Sequence, residues 1–555
     1  MLRRRSGRVV GTGVVLFVVL MCAMAAASVH ANARATTHQQ TFRQDAPAVE
    51  TGVRAAVRTT RALGRVVRSL VAPFTPPQPN IVFVLTDDLS WDLLPYMPNV
   101  RRLQQRGTTF SNYFVTDSLC CPSRASILTG MYPHNTGIFR NTGPDGGFIA
   151  FHDFGLEQDT YATNLQGVGY RTALMGKYLN QYSPSRIRTA LGAPYVPPGW
   201  TDWTVAGNGY QGFGYRLART VRVVRHGFRA RDYLTNVLAR QGLDFMGQSV
   251  AAAAPFMLNV WTFAPHSPAI PAPRDAHRFA TLTAPRDPSF DEADMSDKPA
   301  WLRNHRPLTD GEVARIEETF RDRVRTVQAV DRMIGRLQRR LRALGIARNT
   351  YIVFSSDNGF HLGQHRLTPG KLTAYDPDVR VPLIVTGPGV AAGRVVDAMT
   401  ENTDLCPTFA ELAGAPAPPN ADGSSLVPLL RDDPASDGAR GAPAAAAPAT
   451  AAATDWRDAV LIEHHGNVAS FGDPDAPPAG SGNPPSYEAL RSRDALYVEY
   501  ADGERELYDL ATDPFQLHNL ANEAPPDRLA RLSTQLAAMA NCHGPAQCWA
   551  AGHLQ

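Results

Sequence analysis

Along most of this chain, short unbroken apolar runs alternate with longer amphipathic stretches. Asn80-Ile81-Val82-Phe83-Val84-Leu85-Thr86 is the first strong run, and its continuity suits a strand covered on both faces. Gly169 to Met175, Pro255 to Trp261, Tyr351 to Ser355 and Val381 to Thr386 repeat the pattern, with a shorter strand over Phe110 to Val115. Between them the spacing predicts a short helix over Met97 to Arg106 and another from Asp232 to about Met246. Thr309-Asp310-Gly311-Glu312 is a capping box, and Val313, Ile316, Phe320, Val324, Val327, Ile334, Leu337 and Leu341 mark one face of a long helix read as ordinary core. Strands alternating with helices predict an α/β domain with a large, mostly parallel sheet flanked by helices. Past residue 455 the rhythm changes. Ala459 to Glu463, Tyr487 to Arg491, Ala495 to Glu499 and Glu506 to Asp509 read as short strands separated by turns, before a last helix over Pro526 to Ala540. That is a smaller antiparallel α+β unit.

The rest of the organisation follows from composition. Met1-Leu2-Arg3-Arg4-Arg5 followed by an apolar run from Val9 to Ala27 has the form of a secretory signal, with a small-residue cleavage site at Ala31-Asn32-Ala33. The expectation is an exported protein with residues 1–33 as a signal peptide, or as an uncleaved membrane anchor. Residues 34–79 read as a linker, 80–437 as the main α/β domain, 438–455 as an Ala/Pro-rich disordered insertion and 456–555 as the C-terminal subdomain. A net charge of +4, from 55 basic and 51 acidic residues, is too balanced to argue for a nucleic-acid partner. The local exception is Arg216, Arg219, Arg222 and Arg225, read as a hairpin with a basic, solvated edge. Of the six cysteines, Cys22 falls in the signal and Cys542 with Cys548 are the best disulfide candidates. Cys120, Cys121 and Cys406 form an odd remainder, which favours a special role for one of them.

Candidate chemistry gathers where strands end. Asp87 and Asp88 follow the first apolar run, Lys177 follows the third, His266 stands between Pro265 and Pro268 after the next, and Asp357-Asn358 follow Ser356. In an open parallel sheet, sites form beyond the carboxyl ends of strands. Three carboxylates and an amide oxygen make a hard-cation site suited to Ca²⁺ or Mg²⁺ rather than zinc. Cys120-Cys121-Pro122-Ser123-Arg124 reads as a loop feeding a helix, with Pro122 in the first turn and Ser123 able to cap. Arg124, at i+4 from Cys120, lies on the same helix face and offers a fork suited to a tetrahedral oxyanion, beside the positive end of the helix. Lys177 and Lys371 neutralise the remaining charge, and His266 can protonate a leaving alcohol.

These residues resemble the type I sulfatases. The resemblance runs from about Asn80 to Asn522 and is carried by Cys-x-Pro-Ser-Arg followed by Ala125-Ser126-Ile127-Leu128-Thr129-Gly130. Gly176-Lys177-Tyr178-Leu179-Asn180 and Ser356-Asp357-Asn358-Gly359-Phe360-His361 look most like the N-acetylglucosamine-6-sulfatase branch. The resemblance implies an alkaline-phosphatase-like fold, conversion of Cys120 to formylglycine (3-oxoalanine) by a formylglycine-generating enzyme, and Ca²⁺ held by Asp87, Asp88, Asp357, Asn358 and the modified Cys120. It further implies attack on sulfur by one hydroxyl of the hydrated aldehyde and expulsion of sulfate by the other. Arg124, Lys177, His266 and Lys371 match its sulfate-binding and proton-transfer positions. The implied substrate is a sulfated carbohydrate such as N-acetylglucosamine 6-sulfate. The alternatives are a small aryl sulfate or an unmodified, catalytically silent binding protein. Phosphomonoesterases and phosphonate hydrolases are the rivals of similar fold. One departure stands out: many sulfatases carry histidine two residues after the lysine, where this chain has Leu179. His361 is the candidate replacement base. With His365 it imitates a zinc pair, against which Gly363 and the lack of a third soft ligand argue.

Overall fold

In the computed structural model, residues 78–187, 189, 192–431, 456–466, 476–478 and 480–554 are described. The expected signal peptide, nearly all of the expected linker, and the 438–455 insertion lie outside them. No helix among the described residues is long and apolar enough to cross a membrane.

Eight strands form the main sheet: β1 (Asn80–Thr86), β2 (Thr108–Phe110), β3 (Arg171–Gly176), β4 (Asp202–Val205), β5 (Phe256–Trp261), β6 (Thr350–Ser356), β7 (Leu383–Thr386) and β8 (Arg394–Val396). Their order is β8-β2-β7-β6-β1-β5-β3-β4. β7 alone runs against its neighbours. The expected strand over Phe110 to Val115 is broken: β2 pairs in the main sheet, and Tyr113–Phe114 pairs separately with Thr400–Glu401.

Every residue of β1 is buried, and alternate side chains serve different cores. Ile81, Phe83 and Leu85 face a layer containing helices α2 (Cys120–Thr129) and α5 (Leu405–Ala413). Val82 and Val84 face α1 (Pro98–Arg106), α3 (Leu234–Ala251) and α4 (Asp310–Ala343). α4 opens with the expected box, Thr309 accepting from the Glu312 amide while the Glu312 carboxylate accepts from Thr309 N–H.

The C-terminal strands β9 (Ala459–His464), β10 (Tyr487–Ser492), β11 (Ala495–Tyr500) and β12 (Arg505–Asp509) form an antiparallel sheet in sequence order. Val460, Ile462, Ala489 and Val498 join the core of the first layer, while Leu461, Leu490 and Leu507 pack with Leu536 and Met539 of α6 (Pro526–Ala540). A further helix over Gly544–Ala551, not expected from the sequence, is tied back by the Cys542–Cys548 disulfide. Cys120, Cys121 and Cys406 lie outside this disulfide and are all buried.

Candidate active site

Strand register aligns the carboxyl ends of four adjacent strands. Thr86 pairs with Ser356, Leu85 with Trp261, and Gly176 with Trp261. The residues that follow therefore emerge side by side: Asp87-Asp88, Asp357-Asn358, the loop to His266, and Lys177. Gly176 has φ +113°, and a Cβ there would lie 1.8 Å from the Trp261 carbonyl oxygen. Only glycine admits the approach that lets Lys177 N–H reach that oxygen at 2.8 Å.

Cys120 opens α2 instead of preceding it, so the helix starts earlier than the sequence suggested. Leu119 is its N-cap and provides no side-chain cap. Ser123 is inside the helix: its hydroxyl donates to the Asp357 carbonyl and accepts from Asn402 Nδ2 at 3.0 Å. The orphan amide of Cys121 is satisfied instead by Asn141 Oδ1 at 2.9 Å. Gly130, at φ +78°, ends the helix in the left-handed conformation that glycine tolerates.

Around Cys120 the candidate residues form one charged cluster. Cys120 Sγ lies 3.3 Å from Asp87 Oδ1 and 2.9 Å from Lys371 Nζ. Lys371 also donates to Asp88 Oδ1 at 2.7 Å, and Lys177 donates to both Asp87 oxygens at 3.0 and 2.8 Å. Arg124, fully buried, donates from Nε to Asp357 Oδ2 at 2.8 Å and from Nη1 to the Lys177 carbonyl at 3.0 Å. Its Nη2 lies 3.8 Å from Asp87 Oδ1 and makes no hydrogen bond. Asp357 Oδ1 accepts from the amides of Asp88 and Asn358 at 3.1 and 2.9 Å. His266 Nδ1 lies 2.7 Å from the Ser267 carbonyl, an acceptor, so Nδ1 carries a proton and Nε2 is turned toward Asp88 Oδ2 at 3.6 Å. Ligand-type atoms of Asp87, Asp88, Cys120 and His266 all lie within 4.8 Å of one another.

The electrostatics separate the carboxylates. Burial raises the Asp87 carboxyl, but Lys177, His266, Arg124 and Lys371 outweigh it and hold the group at about 2. Asp357 is pushed up to about 6 by burial and by Asp87, against the pull of Arg124. Arg124 is driven above its ordinary value: Asp357 and Asp87 overcome the effect of burial.

The residues fit a hard divalent cation on one structural observation. Asn358 Nδ2 donates to Asp88 Oδ1 at 2.7 Å and to the Gly359 carbonyl at 2.8 Å, but Asn358 Oδ1 is buried with no hydrogen-bond partner. A buried amide oxygen left unsatisfied beside three carboxylates is a donor set that an oxygen-seeking ion completes.

His361 is not available as a base. Its Nδ1 lies 2.9 Å from Asp378 Oδ2 and its Nε2 2.9 Å from the Ser481 carbonyl. Asp378 and Ser481 thus engage both of its ring nitrogens. His365 is likewise engaged with Glu292 at 2.6 Å. Leu179 is buried in the apolar core.

Two contributions escaped the sequence reading. Tyr210 places its ring 4.6 Å from the His266 ring and 5.1 Å from Lys177 Nζ. Arg323 sits within the long helix's apolar stripe, buried, with Nη2 donating to the Asp88 carbonyl and its guanidinium 4.1 Å from the Phe360 ring. The only available signal was a charged residue three positions after Phe320 on a core face.

The chain is similar to known proteins over most of its length. The sulfatase family profile matches residues 79–415. The human N-acetylglucosamine-6-sulfatase is 33% identical over 495 residues, covering 84% of this chain and 85% of the human protein. An extracellular sulfatase SULF-1 homolog of Drosophila melanogaster is 37% identical over 363 residues, 64% of this chain and 31% of the fly protein. Among solved structures, a protein in complex with its substrate D-glucosamine-2-N,6-O-disulfate superposes with a TM-score of 0.64 at 23% identity, covering 83% of this chain and 97% of that one. The fold is shared with that structure.

Proposed function

The chain belongs to the sulfatase family and is a sulfuric ester hydrolase, and from that premise we propose that it is exported and removes sulfate from sulfated sugars such as N-acetylglucosamine 6-sulfate, with Cys120 matured to formylglycine and Ca²⁺ bound beside it. The observation that carries the reading is the convergence of Cys120, Asp87, Asp88, Asp357, Asn358, Arg124, Lys177, His266 and Lys371 at neighbouring strand ends. The substrate class is supported by the human N-acetylglucosamine-6-sulfatase and by the glucosamine-disulfate complex. Export is supported by the charged and apolar N-terminal pattern and by the fly extracellular relative.

In this reading Asp87, Asp88, Asp357, Asn358 and the modified Cys120 hold the metal. Bound there, Ca²⁺, or Mg²⁺ in its place, supplies positive charge that polarises a sulfate oxygen and acidifies a neighbouring hydroxyl. Lys177, Lys371 and the uncommitted Nη2 of Arg124 point cationic donors at the space around Cys120, where three anionic oxygens of a sulfate ester need them. His266 handles protons at Nε2, because Nδ1 is committed to Ser267. As the imidazolium it gives the Nε2 proton to the leaving alcohol oxygen. The same nitrogen, then neutral, accepts the proton of the hydroxyl that expels sulfate. This dual use answers the absence of histidine at Leu179, since His266 shares the cluster with Cys120.

The test is mass spectrometry of the Cys120 peptide from protein made in a host containing the maturation enzyme, with turnover of N-acetylglucosamine 6-sulfate measured on the same sample. An aldehyde and sulfate release are expected. An intact thiol with the maturation enzyme present defeats the reading in favour of a silent binding protein, and turnover confined to aryl sulfates defeats the sugar assignment.

A further inference from the structure

The arginine hairpin is the largest feature that the reaction leaves unused. Residues 216–219 and 222–225 pair in an antiparallel ribbon whose register sets Arg216 opposite Arg225 and Arg219 opposite Arg222. Like charges directly across strands oppose one another and weaken the ribbon. Among the described residues no acidic side chain pairs with these hairpin arginines, and between Gly214 and Asp232 there are six arginines and a single acidic residue. That residue, Asp232, accepts from the Arg229 amide at 3.3 Å and faces His226 at 3.7 Å. Arg216, Arg222, Arg225, Arg229 and Arg231 are all exposed.

The ribbon is nonetheless fixed in place. Leu217 is buried, Thr220 N–H donates to the Trp203 carbonyl at 2.8 Å, and Tyr215 stacks on His226 at 4.9 Å. Fixed, unpaired and concentrated positive charge is an arrangement that a multivalent anion neutralises. Phe228 stands beside it with 79% of its surface exposed, an aromatic face of the sort that carries sugar rings.

Position points to the kind of anion. The segment that carries the arginines also borders the active site: Tyr210, Gly212, Tyr233 and Leu234 line one small cavity with His266. The hairpin is thus joined at both of its ends to residues of the His266 cavity, so a polymer lying on it can extend to the centre that removes its sulfates.

We propose that the hairpin is a docking surface for a sulfated polysaccharide, its arginines holding sulfates of the chain while a neighbouring sulfated residue enters the active site. This rests on the sulfated-sugar reading above. It predicts a division of labour: the cluster around Cys120 recognises one sulfate ester, and the hairpin gathers polymer from solution.

The experiment replaces Arg216, Arg222 and Arg225 together by glutamine in the full chain. Binding to heparin, a heavily sulfated polysaccharide, is measured with Cys120→Ala added to both proteins so that turnover plays no part. The triple variant should bind about tenfold more weakly at low salt, with a flatter dependence of log Kd on log salt, because each arginine removed releases one fewer counterion. In the active protein, KM for polymer should rise by a similar factor while kcat, and all kinetics on N-acetylglucosamine 6-sulfate, stay unchanged. Unchanged monosaccharide kinetics also certify the fold. Heparin affinity and polymer KM equal to the parent's overturn the proposal. So does binding of single-stranded DNA or of phosphatidylserine vesicles as tight as that of heparin, which would make the surface a nucleic-acid or membrane site. Arginine-dependent heparin binding without turnover of any sulfated sugar leaves the docking surface standing and removes the reading it was built on.

Discussion

Replacing Arg323 by methionine separates the positioning of the site from the stability of the fold. Asp88 has φ +63°, a left-handed conformation that costs a residue other than glycine about 1–2 kcal/mol. Its carbonyl accepts from Arg323 Nη2, which lies buried in the helix behind it. Nε and Nη1 of the same guanidinium are buried without hydrogen-bond partners, and burial holds its pKa below the ordinary arginine value. Removing the charge leaves the Asp88 carbonyl unsatisfied, at a cost of about 1–3 kcal/mol. It also relieves a desolvated cation whose burial costs several kcal/mol. The two oppose, so the net change in stability should be small. The loss to Asp88 is not offset. Without its anchor, about 1–2 kcal/mol of backbone preference shifts the population of the ligating conformation by roughly 5- to 30-fold. Arg323→Met should therefore lower kcat/KM and Ca²⁺ affinity about tenfold while the thermal midpoint moves by only a few degrees, and Arg323→Lys should recover part of the loss. The assay is sulfate release titrated with Ca²⁺ against EDTA, alongside thermal melting. Metal affinity and kcat/KM within about twofold of the parent, the size of ordinary denatured-state effects, would refute the argument that Arg323 holds Asp88 in place.

Three further outcomes are expected. Cys120→Ala should cut turnover by at least about a thousandfold, as loss of a nucleophile does elsewhere, while circular dichroism stays native, since Lys371 keeps Asp88 as a partner. Chelation should abolish activity and Ca²⁺ should restore it better than Zn²⁺; recovery with zinc alone would contradict the all-oxygen donor set. Stability should fall as pH rises from about 5 to 8. Burial pushes Glu506 up to about 7 and Asp92 up to about 6, and each has an oxygen without a partner. Both are raised above their unfolded values, so the native state holds protons that the unfolded chain has released; that contribution is complete below about 3.8 for Asp92 and about 4.5 for Glu506, and is lost as pH rises through about 6 and about 7 respectively. For Glu506 it is of the order of 3 kcal/mol. Glu506→Gln should flatten the dependence of thermal midpoint on pH, and a midpoint that instead climbs toward pH 8 would contradict the sign.

Much of the site was legible because its residues sit where local patterns change. Asp87, Lys177, His266 and Asp357 each stand just past a continuous apolar run, and runs of that kind announce parallel strands whatever their partners. The errors concern things that no run encodes. Ser123 suits a cap by residue type, but its hydroxyl goes to the Asp357 carbonyl and its helix begins at Cys120. His361 follows Asp357-Asn358 closely enough in sequence to suggest a base, but Asp378 and Ser481 occupy both of its nitrogens. Arg323 went unnoticed because a charge inside a helical stripe reads as a blemish in the core until its distant partner is known.

The sequence by itself determined the strand-and-helix alternation, the antiparallel C-terminal strands, the long capped helix and the motif from Cys120 to Arg124. These depend on neighbours a few residues apart, where the periods of strand and helix act directly. Tertiary structure decided how the charges are shared. Strand order placed Asp357 against Asp88, Lys371 against Cys120 and Arg323 behind Asp88, across separations of 269, 251 and 235 residues. It also reversed β7 between β2 and β6, and brought Tyr210 and Tyr233, which flank the arginine hairpin in sequence, into one cavity with His266. Such pairings follow from which strands lie next to each other, a property of the whole packed sheet that no segment carries alone.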